Sequence, residues 1–399
     1  MPNTILTSSV VLRKSMALFH NKSTLIGSID RQYDNSFAQT GAKVGSQIKI
    51  KLPIRAVTRT GMDYDPHSIE EQSVTLGMAK VKGQDFNLTS LDMTLHIDDI
   101  AERLLKPEMA QLVSSVEADA FNMYKDIYNQ VGTAGTVPAT WLVVGQAGAK
   151  INQFLAPQDR DRHVVLDSEA MITIINAHIA LFNPQAQLSK QFQEALVYER
   201  IAGFNWWQND IIPTHTCGSR VASGESTVNG ANQVGSSLIV TGSGTKTYKK
   251  GDVFVAAGCY AIHPESRAAY TFLQQFVITE DAACVAGAVT LKISPSIITS
   301  GALQTVSASP TTGGAITFTG VASTGYRQAL SYHKKALIFA TVDLEQPKGV
   351  DFASVQNYDG ISMSIVRDFD FKTRDFGTRI DILYDYLAAR PQAASRITY

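Results

Sequence analysis

Residues 360–371 read Gly360-Ile-Ser-Met-Ser-Ile-Val-Arg-Asp-Phe-Asp-Phe371, and 379–384 read Arg379-Ile-Asp-Ile-Leu-Tyr384. In both, Arg and Asp alternate with apolar residues, namely Ile365, Phe369, Phe371, Ile380 and Ile382. A period of two is that of a β-strand with one face turned to a core. The charges Arg367, Asp368, Asp370, Arg374, Asp375, Arg379 and Asp381 then crowd onto these strands. Two close carboxylates can serve as acid and base or hold a divalent cation. Charges spaced this way on strands more often make cross-strand or intersubunit ion pairs. Arg367, Asp368, Asp370, Arg374, Arg379 and Asp381 are therefore candidate assembly residues rather than catalytic ones.

The composition changes upstream of this block. Residues 214–329 contain 14 of the 28 glycines and all three cysteines, Cys217, Cys259 and Cys284. Only 12 of these 116 residues are charged, against 59 of the remaining 283. Short apolar runs such as Ser237–Val240, Val253–Val255, Phe276–Ile278 and Val289–Ile293 are separated by turn-rich stretches. Several short strands with turn signals predict a small sandwich or barrel, here an inserted all-β domain.

The flanking sequence has a different texture. His163–Leu166 predicts a strand, and Asp167 or Ser168 can cap a helix carrying Met171, Ile174, Ile175 and Ile179, ended by Asn183-Pro184. With Phe192–Val197 and Ile201–Trp207 it makes an α/β unit, and Lys335–Val342 adds a buried strand to it. Trp206 and Trp207 belong to its core. Leu112, Val116, Ala120, Tyr124, Ile127 and Val131 recur at spacings of three and four. They predict a long helix from Pro107 to Val131, capped by Gly132 and about 37 Å long at ~1.5 Å per residue. Gln47–Leu52 and Ser73–Val81 alternate and flank a turn-rich segment at Gly61–Pro66, so they predict a two-stranded loop. Such a ribbon is marginal alone and leans on something else. Residues 1–45 are polar and mixed, with Arg13, Lys14, Lys22 and Arg31 spread through them. They predict an extended arm, of the kind that becomes ordered on a neighbour.

Candidate chemistry is weak elsewhere. Gly145-Gln-Ala-Gly148-Ala-Lys150 has two residues between its glycines and Ile151 after the lysine, so it reads as a turn and not as a phosphate loop. Gly242-Ser-Gly244 lacks the rest of a dinucleotide fingerprint. His215 and Cys217 offer two metal ligands where three or four are needed. The odd cysteine count and absence of a C-x-x-C pair point to inert thiols. A net charge of -1, from 35 basic and 36 acidic residues, argues against a dedicated nucleic-acid binder. No apolar run is long enough to span a membrane, and the first residues do not read as a secretory signal, so a protein used inside a cell is expected.

Several segments, in this order, resemble the P22-type major coat proteins of tailed bacteriophages. They are Leu95-His-Ile-Asp-Asp-Ile100 with Pro107, Ile201-Ala-Gly-Phe204, Ile212–Gly218, Gly251-Asp-Val-Phe254 with Ala257-Gly258, Leu273–Thr279, Ile293-Ser-Pro295, and the C-terminal block with Arg390-Pro391 and Arg396-Ile397. The resemblance implies an α+β protein of the HK97-like capsid fold. Its expected parts are an N-terminal arm (1–45), an extended loop (46–85), a peripheral domain with a spine helix (86–139) and an axial domain (140–213 and 330–359). An inserted β-barrel-like domain (214–329) and C-terminal strands (360–399) complete the plan. The insert is shorter and richer in Ser and Thr than in the best-known member. No local motif carries over the Lys–Asn crosslink of other HK97-fold capsids. The resemblance also implies hexamers and pentamers closing into an icosahedral head in the host cytoplasm. Scaffolding, portal and decoration proteins would be partners, with packaged double-stranded DNA nearby and no cofactor, metal or membrane. Two alternatives are an encapsulin-like compartment shell and a carbohydrate-binding or hydrolytic enzyme that uses the Gly/Ser/Thr-rich domain, whose ligand stabilisation or turnover Asp368 and Asp370 substitution would abolish.

Overall fold

The computed structural model describes residues 8–34, 47–55, 62, 71–89, 105–178, 202–220, 226–242, 245–284, 287–372 and 375–399. The segments Leu95–Ile100, Asn183-Pro184 and Phe192–Val197, and Arg374, lie outside the described residues. The chain divides into two compact units, one of residues 1–50, 73–121 and 338–387, the other of residues 51–72, 122–337 and 388–399.

The first unit is built on a sheet in the order β1 (Asp30–Asp34), β18 (Leu337–Val342), β21 (Asp375–Ala388), β20 (Ile361–Asp370) and β19 (Phe352–Tyr358), with β4 (Lys80–Thr89) also paired to β21. Strand β18 is buried along its whole length, as its unbroken apolar sequence requires. Its place is in this sheet, parallel to β1, and not in the α/β unit that the sequence predicts. Helix α1 (Ser8–Lys22) occupies the expected extended arm. Val11, Leu12, Ser15, Met16 and Phe19 form a buried stripe, and this face packs on β19, β20 and the helix α3 (Lys106–Phe121). The scattered basic residues of this segment hide a helical period of apolar ones.

Helix α3 has Pro107 in its first turn, where the missing N–H is harmless, and buries Met109, Leu112, Val113, Val116 and Ala120. It stops at Phe121, at about 24 Å. A short 3-10 segment, Asn122–Asp126, follows, and then β5 (Gln130–Val131). The expected helix to Val131 is therefore too long. The apolar period persists because Tyr124 and Ile127 are buried too, but in the second unit. Gly132 caps no helix; at φ +90° it lies where a Cβ would meet the Thr398 carbonyl oxygen at 2.6 Å. Glu117, an acidic residue buried in α3, accepts the backbone N–H groups of Thr24 (2.6 Å) and Leu25 (2.9 Å). It thereby closes the start of α2 (Leu25–Ser28). The ribbon β2 (Gln47–Lys51) and β3 (Ser73–Gly77) rests Leu76, with partly buried Ile48 and Ile50, against Ala340 and Val342.

The second unit has a mixed sheet in the order β5, β22 (Ala394–Thr398), β17 (Gly325–His333), β6 (Arg162–Leu166) and β7 (Asn205–Gln208), with β8 (Thr214–Thr216) on β17. Helix α5 (Ser168–His178) follows β6, and Asp167 caps it by accepting the Ala170 N–H at 3.0 Å. Helix α4 spans Trp141–Gln153, so the Gly145–Lys150 stretch is helix interior and not a turn. Gly148 is small there because a Cβ would lie 3.0 Å from the Phe204 ring. Trp207 is 38% exposed, so of the expected aromatic core only Phe204 is fully enclosed.

The insert is a closed β-barrel. Its antiparallel order is β16 (Ile316–Phe318), β12 (Val253–Ile262), β13 (Ala269–Ile278), β15 (Gly287–Ile297), β10 (Gly235–Gly242) and β9 (Thr227–Val228). Hydrogen bonds from Val228 N–H to Gly314 (3.0 Å) and from Ile316 N–H to Ser226 (2.9 Å) join the two ends. Closure removes the free edges that would otherwise invite association. Leu238 and Val240 from β10, Phe254 from β12, Phe276 and Ile278 from β13 and Leu291 and Ile293 from β15 fill the interior. Each contributes roughly 1.5–3 kcal/mol relative to exposure.

Candidate functional site

The charged block divides according to the geometry of the β20–β21 hairpin. Ile361–Ile365 are buried, and exposure begins beyond Val366. The register pairs Arg367 with Thr378, Asp368 with Gly377, Phe369 with Phe376 and Asp370 with Asp375. The outer end of the hairpin therefore stands clear of the core, with Phe369 41% and Phe371 87% exposed.

Of the candidate assembly residues, Arg367 is engaged within the subunit. Its Nε and Nη2 donate to one Asp351 oxygen at 2.8 and 2.6 Å, and its guanidinium lies 4.9 Å from the Phe376 ring centre. Arg379 donates to Asp381 at 2.6 Å and reaches Asp85 on β4 at 3.8 Å. The hydrogen bond and charge of Asp381 hold the Arg379 guanidinium above its ordinary range. Asp381 is itself buried, opposite Gly83. Asp368 and Asp370 differ. They accept only nearby N–H groups, of Phe369 (2.9 Å) and Lys372 (2.8 Å), and no cation pairs with them among the described residues. Intrachain pairing thus accounts for Arg367, Arg379 and Asp381, and leaves Asp368 and Asp370 beside two exposed phenylalanines.

A second cluster lies wholly inside the second unit. Strand alternation turns His215 of the Thr-His-Thr strand β8 inward and both threonines outward. Its Nε2 lies 3.0 Å from an Asp252 carboxylate oxygen, and its Nδ1 is hydrogen-bonded to the Tyr124 hydroxyl at 3.1 Å. Asp252, fully enclosed, also accepts Arg220 (3.2 Å) and the backbone N–H groups of Gly218 (3.2 Å) and Lys249 (3.1 Å). Burial alone would raise the Asp252 carboxyl. The His215 hydrogen bond, the Arg220 charge and the Lys249 N–H outweigh it and hold the group below the usual carboxylate range. Burial pushes the Tyr124 hydroxyl up to about 12, so it remains a donor. Arg396, fully buried on β22, donates to the Gly251 carbonyl at 2.8 Å.

His215 and Cys217 thus gain the third ligand-type neighbour that their spacing does not supply, since Asp252 brings the group to three such atoms within 4.8 Å of one another. Both ring nitrogens of His215 are already used, and Arg220 places a positive charge on the same carboxylate. Burial raises the Cys217 thiol, which disfavours the thiolate that binds metals. The cluster is built as a polar joint between barrel strands and the α/β sheet of this unit. Asp252, Arg220, Tyr124 and Arg396 were not legible as partners. The one signal was Gly251-Asp252, a glycine with φ +101° leading an acidic residue into a strand.

A sheet crossed by a spine helix, an α/β body and an inserted closed barrel define the class: a capsid subunit of the HK97-like fold. The chain belongs to the P22 coat protein family, whose model, described as "P22 coat protein - gene protein 5", matches residues 3–396. No curated protein matches. Among solved structures the chain is similar to the capsid of Ralstonia phage GP4, at 8% identity and TM-score 0.47, covering 94% of this chain and 91% of that one. It is also similar to a Mycobacterium phage Che8 chain (10%, TM-score 0.45, 94% and 91% covered). A third is the mature capsid of bacteriophage PhiM1 (11%, TM-score 0.44, 94% and 86% covered).

Proposed function

We propose that this phage coat protein forms pentamers and hexamers that close into an icosahedral head around a double-stranded DNA genome. The observation that carries the proposal is the family match from residue 3 to residue 396, which takes in both units and the barrel. Its role is mechanical, and no catalytic step is assigned to any residue. Assembly takes place in the host cytoplasm with scaffolding and portal proteins as partners. A net charge of -1 suits a wall that must enclose DNA without gripping it. The barrel distinguishes this reading from a compartment shell of the encapsulin type.

The β20–β21 tip supports an interface between copies. Phe371 at 87% exposure has no role in the subunit's own core, and among the described residues no cation pairs with Asp368 or Asp370. Phe371→Ser should leave subunit stability within about 0.5 kcal/mol, as at other exposed positions. It should also strongly reduce fast-sedimenting particles when the chain is expressed with its scaffolding protein. Normal particle yield from Phe371→Ser and from an Asp368→Lys/Asp370→Lys variant would remove the hairpin from the interface.

A further inference from the structure

Lys150 differs from the lysines that reach a carboxylate. Lys82 reaches Asp119 at 2.7 Å, Lys250 reaches Asp126 at 2.8 Å and Lys249 reaches Asp281 at 3.2 Å. Lys150, in the last turn of α4, makes no hydrogen bond or ion pair among the described residues. Its Nζ lies 3.9 Å from the centre of the Phe272 ring. Phe272 is stacked on Tyr270, with centroids 5.0 Å apart and planes at 17°. The Tyr270 hydroxyl donates to the Gln153 carbonyl at 3.0 Å, which ties this aromatic shelf to the end of the helix. The amine opens onto a pocket of about 350 Å³ lined by Val131, Gly132, Gln146, Ala149, Gln153 and Phe272. Apart from Lys150 itself, none of these lining residues carries a charge.

We propose that Lys150 is a site of covalent acylation, taking small acyl groups from acyl phosphates. The lone pair of the neutral amine attacks the carbonyl carbon of, for example, acetyl phosphate. A C–N bond forms, the bond from carbonyl carbon to phosphate oxygen breaks, and phosphate leaves with that electron pair. The proton displaced from nitrogen passes to solvent. No oxidant or reductant is needed. The product is an uncharged amide whose acyl group lies in the pocket beside Phe272, and the chain's net charge moves from -1 to -2.

Two physical effects favour this amine. Desolvation without a compensating carboxylate disfavours the ammonium form, and burial brings Lys150 down to about 8. A lysine desolvated in an apolar pocket is one of the recognised forms of activated nucleophile. Against an ordinary lysine near 10.4, the neutral fraction at pH 7.5 rises by roughly two orders of magnitude. The lower basicity gives back about one order through the Brønsted relation, leaving a rate advantage of about tenfold.

The test uses the full chain, incubated with acetyl phosphate over a range of pH, with lysine occupancy followed by peptide mass spectrometry. Exposed Lys292 and Lys348 serve as references. At pH 7.5 Lys150 should be acetylated about tenfold faster than either, and its rate should level off above about pH 8.5 while theirs keep rising. Phe272→Ala should admit water to the amine and abolish the difference. Equal rates at pH 7.5, or a Lys150 rate still rising in proportion to hydroxide at pH 9.5, would overturn the assignment. So would unchanged selectivity in folded Phe272→Ala. If that variant does not fold, the pH profile of the unaltered chain decides.

Discussion

Asp252→Ala removes the hub of the buried network and should destabilise the second unit selectively. The carboxylate is fully enclosed and accepts four hydrogen bonds, from His215, Arg220, Gly218 and Lys249. Without it, the Arg220 guanidinium, with 1% of its side chain exposed, keeps the Gly320 and Thr319 carbonyls and the Phe318 ring face but no counter-charge among the described residues. Removing one member of a buried ion pair costs about 3–5 kcal/mol. The two orphaned N–H groups fall partly within that figure, at about 1–3 kcal/mol each if water cannot reach them. We therefore expect a loss of about 3–5 kcal/mol in the second unit. Trp141, Trp206 and Trp207, the only tryptophans, all lie in that unit, so urea unfolding followed by tryptophan fluorescence isolates it. Asp252→Leu with Arg220→Met should recover part of the loss, because the Arg220 charge is then removed together with its partner. A loss below about 1 kcal/mol for Asp252→Ala would refute the reasoning, since that is the range of a solvent-exposed pair.

Two further outcomes follow from single residues. Burial brings the His163 imidazole down to about 4, and Trp207 Nε1 donates to its Nδ1 at 3.0 Å. The folded value is depressed below the unfolded one of about 6.5, so the unfolded chain takes up the proton first. The contribution is complete well above pH 6.5 and is lost as pH falls through 4, by about 3 kcal/mol in all. The same fluorescence assay at pH 7 and pH 4.5 should show this slope, and His163→Gln should flatten it. Gly83→Ala would put a Cβ 2.0 Å from an Asp381 carboxylate oxygen and 2.8 Å from the Ile380 carbonyl oxygen. Forcing those atoms apart should cost about 1–3 kcal/mol and speed hydrogen exchange along β4. Unchanged exchange there would show that β21 moves away without penalty.

Periodicity and composition made much of this fold readable in the sequence. The insert's low charge and repeated short apolar runs mark a barrel, and each quoted run lies in a strand of it. The C-terminal alternation marks β20 and β21 in the same way. The errors share a physical cause, because local patterns do not say which core a side chain enters. Tyr124 and Ile127 continue the spine helix's period, yet they serve another unit. Lys335–Val342 reads as a buried strand without naming its neighbours, and β1 proves to be one of them. Helix α1 was hidden because Arg13, Lys14 and Lys22 dilute its apolar stripe. The site was less legible still. The sequence groups six charges at the C-terminal hairpin but cannot show that Asp351 neutralises Arg367 or that Asp381 neutralises Arg379. Nor can spacing bring Tyr124, Arg220, Asp252 and Arg396 together across more than 270 positions (396 − 124 = 272).

The central claim is that this chain closes a shell, and electron microscopy of the purified chain expressed with its neighbouring genes tests it most directly. Closed, uniform particles whose surface resolves into five-fold and six-fold clusters of this one chain are predicted. A monodisperse monomer under every condition, with the scaffold candidate present, would contradict the account.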